Sequence, residues 1–544
     1  MSRHEPAGSS ADSRDPLRRF NGRLLDPSTA VRLPGAPAPE PTVYRSDVLL
    51  VTTDTRDSTD PLLTAIDEEV ELLGLRRAGP DAFDTDTDDP DHNRRAQVLR
   101  LAEEHRNPLV FPVAFEGAGD VPVSVDVWPL LQQLRRRGFV PGARPGRRPA
   151  DGAPRPPAVD LGHLMFSAIS GNPFAAGNPF AAGNPFAAGN PFAAGNPFAA
   201  GNPFDAGNPF AAGNSGVGSY AVAGSGGHGP VAVVIAKPEP AAVARRPHVV
   251  VLDTGIGQHP WFDPGWVSDQ LTLSNGFPVG MDPAANSATN PDGPGAVVNR
   301  LTGFLASHSG HGTFIAGLLH QTCPEATVTV LRIMGADGIV PEGDLDKCLV
   351  ELGLYLDENP GTVDALVLSL GYYVETADDA AYTPGLKELL ENLASKNVTI
   401  FASAGNDATD RKSYPAAFAP EPLFGDPGHC LLVSVAALNP DERTVALFSN
   451  DGPWVTAQAV GANVISTAPT TAQGSWMPGA RTVDQRKHVR STIDPDDFSG
   501  GFATWSGTSF AAPVLAGHFL TSVLKVGLDT TIEVRQELAR RLLR

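Results

Sequence analysis

The 544-residue sequence has few cysteines and no long apolar run. Its three cysteines, Cys323, Cys348 and Cys430, are too few for a disulfide framework, and none lies in a CxxC pair or at zinc spacing from a histidine. Because no run of about 18 apolar residues is present, the sequence predicts no membrane span and no membrane partner. The arginine-containing N-terminus has no apolar stretch behind it, so no signal peptide is recognised and a cytoplasmic location is expected.

The composition is acidic and rich in glycine and proline. The chain has 41 Lys and Arg residues against 61 Asp and Glu residues, which gives a formal net charge of −20. Because phosphate groups are bound by basic faces, nucleic acid is not expected as a partner. The 56 glycines and 51 prolines make up about a fifth of the chain, roughly twice the usual ~12%. This excess predicts that part of the chain is not packed core.

The first two of four predicted regions differ sharply in pattern. Residues 1–42 are polar, proline-rich and without periodicity, which predicts a disordered tail. Residues 43–138 contain apolar strand runs at 47–53 and 108–115 and helical apolar spacing at 61–75 and 128–137. This alternation predicts a small α/β domain, and no motif in it carries chemistry.

The third region, residues 139–230, is rich in proline, glycine and arginine. It contains seven copies of the hexapeptide GNPFAA between residues 171 and 212, one of them altered by Asp205. Asn-Pro pairs and regular glycines break both helices and strands, so the pattern predicts a long, disordered and flexible linker. A phenylalanine-rich interaction tract is the alternative interpretation.

The fourth region, residues 231–544, has a globular composition. Its continuous β-branched runs predict strands that are buried on both faces; they are HVVVLDTG, TVTVLRIMG, DALVLSLG, NVTIFASAGN and CLLVSVAAL. Between them, leucines recur at helical spacing over 345–356 and 386–393. Alternating strands and helices predict a doubly wound, mostly parallel α/β sheet.

Four residues at the ends of these elements have the types needed for nucleophilic hydrolysis. Asp253 and Asn406 follow apolar strands, while His311 and Ser509 open predicted helices. Active sites of doubly wound sheets form outside the carboxyl ends of the strands. A serine hydroxyl, a histidine base and an orienting aspartate make a catalytic triad, and an asparagine amide can donate to an oxyanion.

The motifs around these residues resemble those of subtilisin-like serine proteases, the subtilases. They are DTGI at Asp253, HGTxxAG from His311, AGN ending at Asn406 and GTSxAAP around Ser509, in the order Asp, His, Ser. The resemblance covers about residues 245–544. It implies a sheet of subtilisin type and a serine endopeptidase acting on protein or peptide substrates, with Asp253, His311 and Ser509 as the triad and Asn406 as the oxyanion donor.

Five further residues match substrate-binding segments of that family. Ser369, Leu370 and Gly371 match the strand that pairs with the substrate backbone. Ala404 and Gly405 match one wall of the pocket for the side chain before the scissile bond. The implied reaction needs no cofactor. Many subtilases bind structural calcium, but no calcium loop can be mapped here and no metal ligand is assigned.

The sequence also departs from the family pattern. Tyr372 and Tyr373 stand where small residues are more usual, which predicts differently shaped substrate pockets. Longer spacings between the motifs predict surface insertions around residues 263–300 and 470–500. Neither insertion overlaps a motif.

Two alternatives concern the role of the chain as a whole. It could act mainly as an interaction or scaffold protein with a dormant protease domain. Residues 43–138 could also be a pro-domain that docks intramolecularly and inhibits the protease, rather than a permanent recruitment module. A flexible chain of about 90 residues spans roughly 50 Å, so the tethered domain can reach the cleft. Any maturation cut is expected between about residues 140 and 230.

Overall fold

The computed structural model describes residues 16–34, 38–119, 123–139, 155–167, 220, 227–234, 236–263, 265–283, 290–293, 303, 305–376, 384–421 and 424–543. The chain divides into two units, each built from several segments. The first unit comprises Met1–Met165, Ile339–Asp357 and Tyr372–Asn392, and the second comprises Phe166–Gly338, Glu358–Gly371 and Leu393–Arg544. The GNPFAA repeats at 171–212 lie outside the described residues.

The strands of the described residues are, in chain order, β1 (Gly22–Leu25), β2 (Thr42–Thr53), β3 (Leu75–Ala78), β4 (Leu109–Gly117), β5 (Ala158–Ser167), β6 (Gly229–Pro230), β7 (His248–Asp253), β8 (Val267–Ser268), β9 (Thr327–Arg332), β10 (Ile339–Pro341), β11 (Ala365–Leu368), β12 (Leu370–Gly371), β13 (Thr399–Ser403), β14 (Leu432–Leu438), β15 (Ala457–Val460), β16 (Val464–Thr467), β17 (Arg481–Val483), β18 (Val489–Ser491) and β19 (Phe502–Trp505). The α-helices are α1 (Pro16–Arg19), α2 (Asp60–Leu72), α3 (Pro90–Glu104), α4 (Val127–Arg136), α5 (His311–Thr322), α6 (Glu342–Glu358), α7 (Pro384–Ser395), α8 (Thr508–Val526) and α9 (Ile532–Arg540).

The first unit contains a sheet with the strand order β10-β5-β2-β4-β3, and β1 also pairs with β2. Strand β2 runs antiparallel to both β4 and β5. Its residues 48–51 are all buried, as expected for a strand covered on both faces. Helices α2 and α4 contact each other, and α3 contacts β4. The strands and helices predicted over 47–137 are therefore present, and α3 is an element that the sequence analysis missed.

The second unit contains a parallel sheet with the order β15-β14-β13-β11-β7-β9-β8. The predicted parallel α/β sheet is thus confirmed. Strand β7 has β9 on one side and β11 on the other, so the order of the strands reverses at β7. Such a switch point forms a crevice at the carboxyl ends of the strands. Asp253 is the last residue of β7.

Helix α8 forms the centre of the second unit. It contacts α5 and the strands β11, β13, β14 and β15. The helix is long and apolar enough to span a membrane, but 61% of its most apolar 18-residue stretch is buried inside the protein. Such burial is typical of a core helix, which is apolar all round because it packs against other elements on both sides.

Two predicted disordered regions contain ordered elements. Residues 22–25 of the predicted tail form β1, which pairs with β2 from Gly22 opposite Arg45 to Leu25 opposite Thr42. Residues 158–167 of the predicted linker form β5, whose side chains are almost all buried. The prediction of disorder was wrong for both segments, because pairing with distant strands orders them despite their proline-rich flanks. The limits of the small domain, 43–138, remain a prediction.

Candidate active site

Asp253 and His311 contact each other at the carboxyl end of β7. Nδ1 of His311 lies 2.8 Å from Oδ1 and 2.9 Å from Oδ2 of Asp253, and both residues are fully buried. Because a carboxylate can only accept, Nδ1 carries the proton and Nε2 remains the basic nitrogen. The carboxylate therefore holds the imidazole in the tautomer that a general base requires.

Two glycines allow the helix that begins at His311 to approach β7 closely. Gly310, the residue before the helix, has a φ of 81°, in the left-handed region that favours glycine. Gly312 lies so near the turn after β7 that a Cβ atom there would be 2.2 Å from the carbonyl oxygen of Gly255. Gly312 of the HGT motif and the preceding Gly310 thus have a steric role in bringing the two segments together.

A further carboxyl group, that of Asp292, connects the turns that carry Asp253 and His311. Its Oδ1 accepts a hydrogen bond from Thr254 Oγ1 at 2.6 Å. Its Oδ2 accepts from the backbone N–H of Thr313 at 2.9 Å and also from the hydroxyl of Thr313. Asp292 is fully buried. Burial raises the pKa of Asp292 to about 6, although the hydrogen bonds from the two threonines oppose this rise.

Ser509 lies in the first turn of α8, beside the loop that follows β11. Its hydroxyl donates to the carbonyl oxygen of Ser369 at 3.2 Å, and the hydroxyl of Ser369 donates to the carbonyl oxygen of Ser509 at 2.9 Å. The ring of the next residue, Phe510, is 5.3 Å from the imidazole of His311 between centroids. Ser509 is therefore near His311 and at a helix N-terminus, where the helix dipole favours a negative charge.

The side-chain amide of Asn406 is fixed through its oxygen. Oδ1 accepts hydrogen bonds from the backbone N–H and from the hydroxyl of Thr508, both at 2.9 Å. Nδ2 is buried and has no hydrogen-bond partner within the described part of the chain. A buried N–H₂ group without a partner is costly. Buried donors that are fixed in position are also the type of group that can stabilise an oxyanion.

The backbone at Ala404 and Gly405 is held in one conformation. The side chain of Asn450 donates to the carbonyl oxygen of Ala404 at 2.9 Å, and the N–H of Gly405 donates to Thr508 Oγ1 at 3.1 Å. Gly405 has a φ of 105°, and a Cβ atom there would lie 2.4 Å from Nδ2 of Asn450. This position therefore requires glycine.

Strand β12 is paired with residues of the same chain. Leu370 and Gly371 run antiparallel to Ser167 and Phe166, the last two residues of β5, which belong to the second unit. The N–H of Ser167 donates to the carbonyl oxygen of Gly338 at 2.9 Å. Its hydroxyl oxygen lies 3.5 Å from Nε2 of His311. An extended segment thus already occupies the edge that the sequence analysis assigned to substrate.

Two further histidines lie close to His311. The ring of His228 stacks on Trp505, with centroids 3.7 Å apart, and burial lowers the pKa of His228 to about 3. Burial also lowers the pKa of His308 well below its usual range. In both histidines burial thus favours the neutral ring. Within the described residues, no group of three His, Cys, Asp or Glu side chains could hold a metal ion.

All nine residues singled out from the sequence lie in the second unit, at or near the carboxyl ends of its central strands; they are Asp253, His311, Ser369, Leu370, Gly371, Ala404, Gly405, Asn406 and Ser509. Sequence reasoning missed Asp292, which belongs to no motif. It also missed the pairing of residues 166–167 with β12. No local pattern could have indicated either, because each depends on contacts between distant segments.

A comparison with protein-family models matches residues 245–536 to the subtilase family. This match covers more than half of the chain. It begins just before β7 and ends within α9, so it includes all nine of the residues above.

Two similar curated proteins are bacterial proteases. An intracellular serine protease of Paenibacillus polymyxa is 25% identical over 224 residues, which cover 39% of this chain and 52% of that protein. An extracellular protease of Xanthomonas campestris pv. campestris is 25% identical over 292 residues, which cover 49% of this chain and 42% of that protein. The chain thus spans about half the length of these relatives.

Solved structures of the same kind also resemble the chain. A cold-adapted subtilisin-like serine proteinase matches with 17% identity and a TM-score of 0.34, over 53% of this chain and 79% of that one. Fervidolysin from Fervidobacterium pennivorans, described as a keratinolytic enzyme related to subtilisin, matches with 16% identity and a TM-score of 0.43, over 91% of this chain and 57% of that one.

Proposed function

The chain belongs to the subtilase family, and from that premise we propose that it is a serine endopeptidase that hydrolyses peptide bonds of proteins. The observation that carries the proposal is the buried pair of Asp253 and His311. The two residues come from two of the family motifs and lie in the unit that also contains Ser509 and Asn406.

In the proposed mechanism, Ser509 Oγ attacks the carbonyl carbon of the scissile peptide bond while Nε2 of His311 takes its proton. Asp253, bonded to Nδ1, holds the ring in place and stabilises the imidazolium that forms. His311 then gives the proton to the leaving amine, and an ester to Ser509 remains. Water, deprotonated by the same imidazole, attacks this ester; the bond to Ser509 Oγ then breaks, the imidazolium returns the proton to Oγ, and the acid product leaves.

The negative charge on the substrate oxygen requires donors that are in position before the reaction. We assign this role to Nδ2 of Asn406 and to the backbone N–H of Ser509. The fixed Oδ1 of Asn406 and the partnerless state of Nδ2 within the described residues support the assignment. Preorganised donors of this kind stabilise the transition state without reorganising at the moment of reaction.

Substrate binding is proposed along Ser369, Leu370 and Gly371, by addition of a strand. The pairing of Phe166 and Ser167 with β12 supports this, because an extended segment of the same chain already pairs with this edge in antiparallel register. Ala404 and Gly405 are proposed as one wall of the pocket before the scissile bond. None of these steps requires a cofactor, and no residue is assigned to calcium.

A fluorophosphonate probe tests the proposed nucleophile directly. Such a probe phosphonylates a serine only when a base and an oxyanion site activate it. We expect the full chain to be labelled and the tryptic peptide that contains Ser509 to carry the adduct. The variant Ser509→Ala should remain unlabelled. Labelling elsewhere, or none in a folded preparation, would support the alternative of a scaffold protein with a dormant protease domain.

Self-processing is a second proposed activity, and the contacts of Ser167 favour it. A peptide bound in the register of Phe166 and Ser167 presents its next residue opposite Ser369, whose carbonyl oxygen is 3.2 Å from Ser509 Oγ. We therefore expect the first self-cleavage after Ala168. N-terminal sequencing of incubated protein should find a new terminus at Ile169, and none in Ser509→Ala. An uncut wild-type chain with full activity would make residues 43–138 a permanent module instead of a pro-domain.

A further inference from the structure

A ribbon of two short strands interrupts the second unit between Gln473 and Asp497. Its strands, β17 and β18, pair from Arg481 opposite Ser491 to Val483 opposite Val489, and all six of their residues are exposed. We call residues 474–496 the basic hairpin. It lies in the 470–500 segment that the sequence analysis predicted as an insertion.

The basic hairpin is rooted beside the predicted catalytic histidine. The segment leaves the core at Pro469, which packs so closely on Gly310 that a Cβ atom there would meet the proline ring at 2.6 Å. Gly310 immediately precedes His311. The next residue after Pro469, Thr470, donates its N–H to the carbonyl oxygen of Gln258 at 3.0 Å. These contacts fix the point at which the segment that carries the hairpin leaves the core, next to the residue that precedes His311.

Contacts at its base keep the hairpin ordered. The N–H of Trp476 donates to Oδ2 of Asp496 at 2.9 Å, and the N–H of Ser475 donates to the carbonyl oxygen of Gly303 at 3.2 Å. At the tip, the N–H of Asp484 donates to the carbonyl oxygen of His488 at 3.0 Å, which closes the turn. The ribbon is thus defined at both ends even though its strands are exposed.

The surface of the hairpin combines positive charge with exposed apolar side chains. Residues 474–496 carry four basic residues and three acidic residues, within a chain whose formal net charge is −20. Two of the acidic residues, Asp494 and Asp496, lie at the base of the hairpin, so that residues 480–492 carry the four basic residues and one acidic residue; the basic residues are Arg481, Arg486, Lys487 and Arg490. Its large apolar side chains are 57–79% exposed; they are Trp476, Met477, Val483, Val489 and Ile493. Apolar clusters of this kind on a projecting ribbon are typical of binding surfaces, where Trp, Met and Arg are enriched.

We propose that the basic hairpin is a second binding surface of the enzyme, which holds acidic, partly apolar segments of protein substrates beside the active site. The inference rests on the proposed peptidase function. The charge of the hairpin is opposite to that of such segments, and its apolar side chains add contact area. At physiological ionic strength the Debye length is about 8 Å, so exposed charges that lie farther from the hairpin than this are largely screened.

Proximity to His311 favours a substrate segment over other occupants. A segment bound to the hairpin raises the effective concentration of the neighbouring scissile bond at Ser509, in the same way that a second binding site raises avidity. The effect should appear in KM rather than in kcat, because the surface does not contact the reacting atoms.

The test compares one hairpin variant with a matched control variant in the full chain. The hairpin variant carries Arg486→Gln, Lys487→Gln and Arg490→Gln. The control carries Arg443→Gln, Lys525→Gln and Arg541→Gln, three exposed positions elsewhere in the second unit. Each substrate is a peptide with the sequence of residues 163–170 that carries a flexible tail. In one peptide the tail is rich in glutamate, and in the other glutamine replaces each glutamate. Each tail is tested at the N-terminus and at the C-terminus of the peptide.

For the glutamate-tailed peptide, we expect the hairpin variant to lower kcat/KM about tenfold through KM, since three exposed charge contacts are lost. The difference should vanish at about 1 M salt, where the Debye length is about 3 Å. The glutamine-tailed peptide and the control variant should show unchanged kinetics. Equal kinetics of wild type and hairpin variant on the glutamate-tailed peptide would overturn the proposal, and so would an equal loss on both peptides.

Two other outcomes identify a different occupant and also overturn the proposal. In the first, wild type and control variant co-sediment with vesicles of anionic phospholipid, the hairpin variant does not, and the kinetics on the two peptides do not differ. In the second, sedimentation velocity finds a dimer for wild type and control variant and a monomer for the hairpin variant. If no preparation cleaves either peptide, the proposed peptidase function fails. Binding of the glutamate-tailed peptide to Ser509→Ala, measured by fluorescence anisotropy, then tests the surface alone. Equal affinity of Ser509→Ala with and without the three hairpin substitutions would contradict the proposed surface.

Discussion

The hydroxyl oxygen of Ser167 lies 3.5 Å from Nε2 of His311. Ser167 is held there by backbone contacts, since it pairs with Leu370 and its N–H donates to the carbonyl oxygen of Gly338 at 2.9 Å. Both of these contacts are independent of side-chain identity. The last two residues of β5 are therefore held by backbone contacts that an extended peptide of another sequence could also make.

The variant Ser167→Pro should slow self-processing by about fivefold. Proline removes the N–H that donates to Gly338, and the loss of one hydrogen bond of about 1 kcal/mol weakens the docking of the segment. The fraction of cut chain is measured over time by gel electrophoresis. Ser167→Ala keeps the N–H and is the control, with a rate close to wild type. Equal rates for Ser167→Pro and wild type would show that this pairing does not lead to cleavage.

The variant Asp292→Asn should lower kcat about tenfold and leave KM nearly unchanged. An amide offers only one acceptor oxygen, so one of the donors from Thr254 and Thr313 loses its partner, at a cost of about 1–3 kcal/mol. The turns that carry Asp253 and His311 are then less well positioned, while the substrate edge is untouched. Steady-state kinetics on a short peptide measure both constants. Asp451→Asn, at an exposed position, is the control, and a rise in KM alone would contradict the positioning role.

The variant Asn406→Ala should lower kcat by about 10²–10³-fold with little change in KM. This magnitude is the one known for an oxyanion donor of subtilisin and is not calculated from this chain. The physical reason is that Nδ2 is needed only once the oxyanion forms. Steady-state kinetics with a chromogenic peptide measure the effect. A variant with unchanged kcat would show that another group stabilises the oxyanion.

The first unit should lose stability at alkaline pH through His163. Burial alone would lower the pKa of His163, but Glu342 at Nδ1, 2.7 Å away, and Glu375 at Nε2, 3.0 Å away, raise it to about 10. Because the folded-state pKa lies above the ordinary value of 6.5, the stabilisation is complete below pH 6.5 and is lost as the pH rises through 10.

The variant His163→Gln checks this dependence. We expect it to lower the free energy of unfolding by about 2 kcal/mol at pH 6, and by less at pH 9.5. Urea unfolding of the full chain, with hydrogen exchange followed in β5, gives the two differences. His105→Gln, at a partly exposed site of the same unit, is the control. A difference that is the same at both pH values would mean that His163 is not charged in the folded protein.

The sequence was sufficient for the family and for the parallel sheet, while the roles of the motif residues stay predictions. Apolar β-branched runs such as Val249–Leu252 can only be strands buried on both faces, and Asp253 and His311 belong to motifs with fixed neighbours. It was not sufficient for β5, which is proline-flanked and becomes a strand only through its partners. It also could not indicate Asp292, whose role depends on hydrogen bonds to two threonines from separate motifs.

The central claim is that Ser509 is the nucleophile, and the hydrolysis rate of Ser509→Ala tests it most directly. With a short peptide substrate and a folded preparation, kcat should fall by about 10⁶-fold, the loss known for the nucleophile of subtilisin. Circular dichroism should match that of the wild type, since one buried oxygen is removed and α8 is retained. A variant that keeps even a tenth of the wild-type turnover would contradict the account.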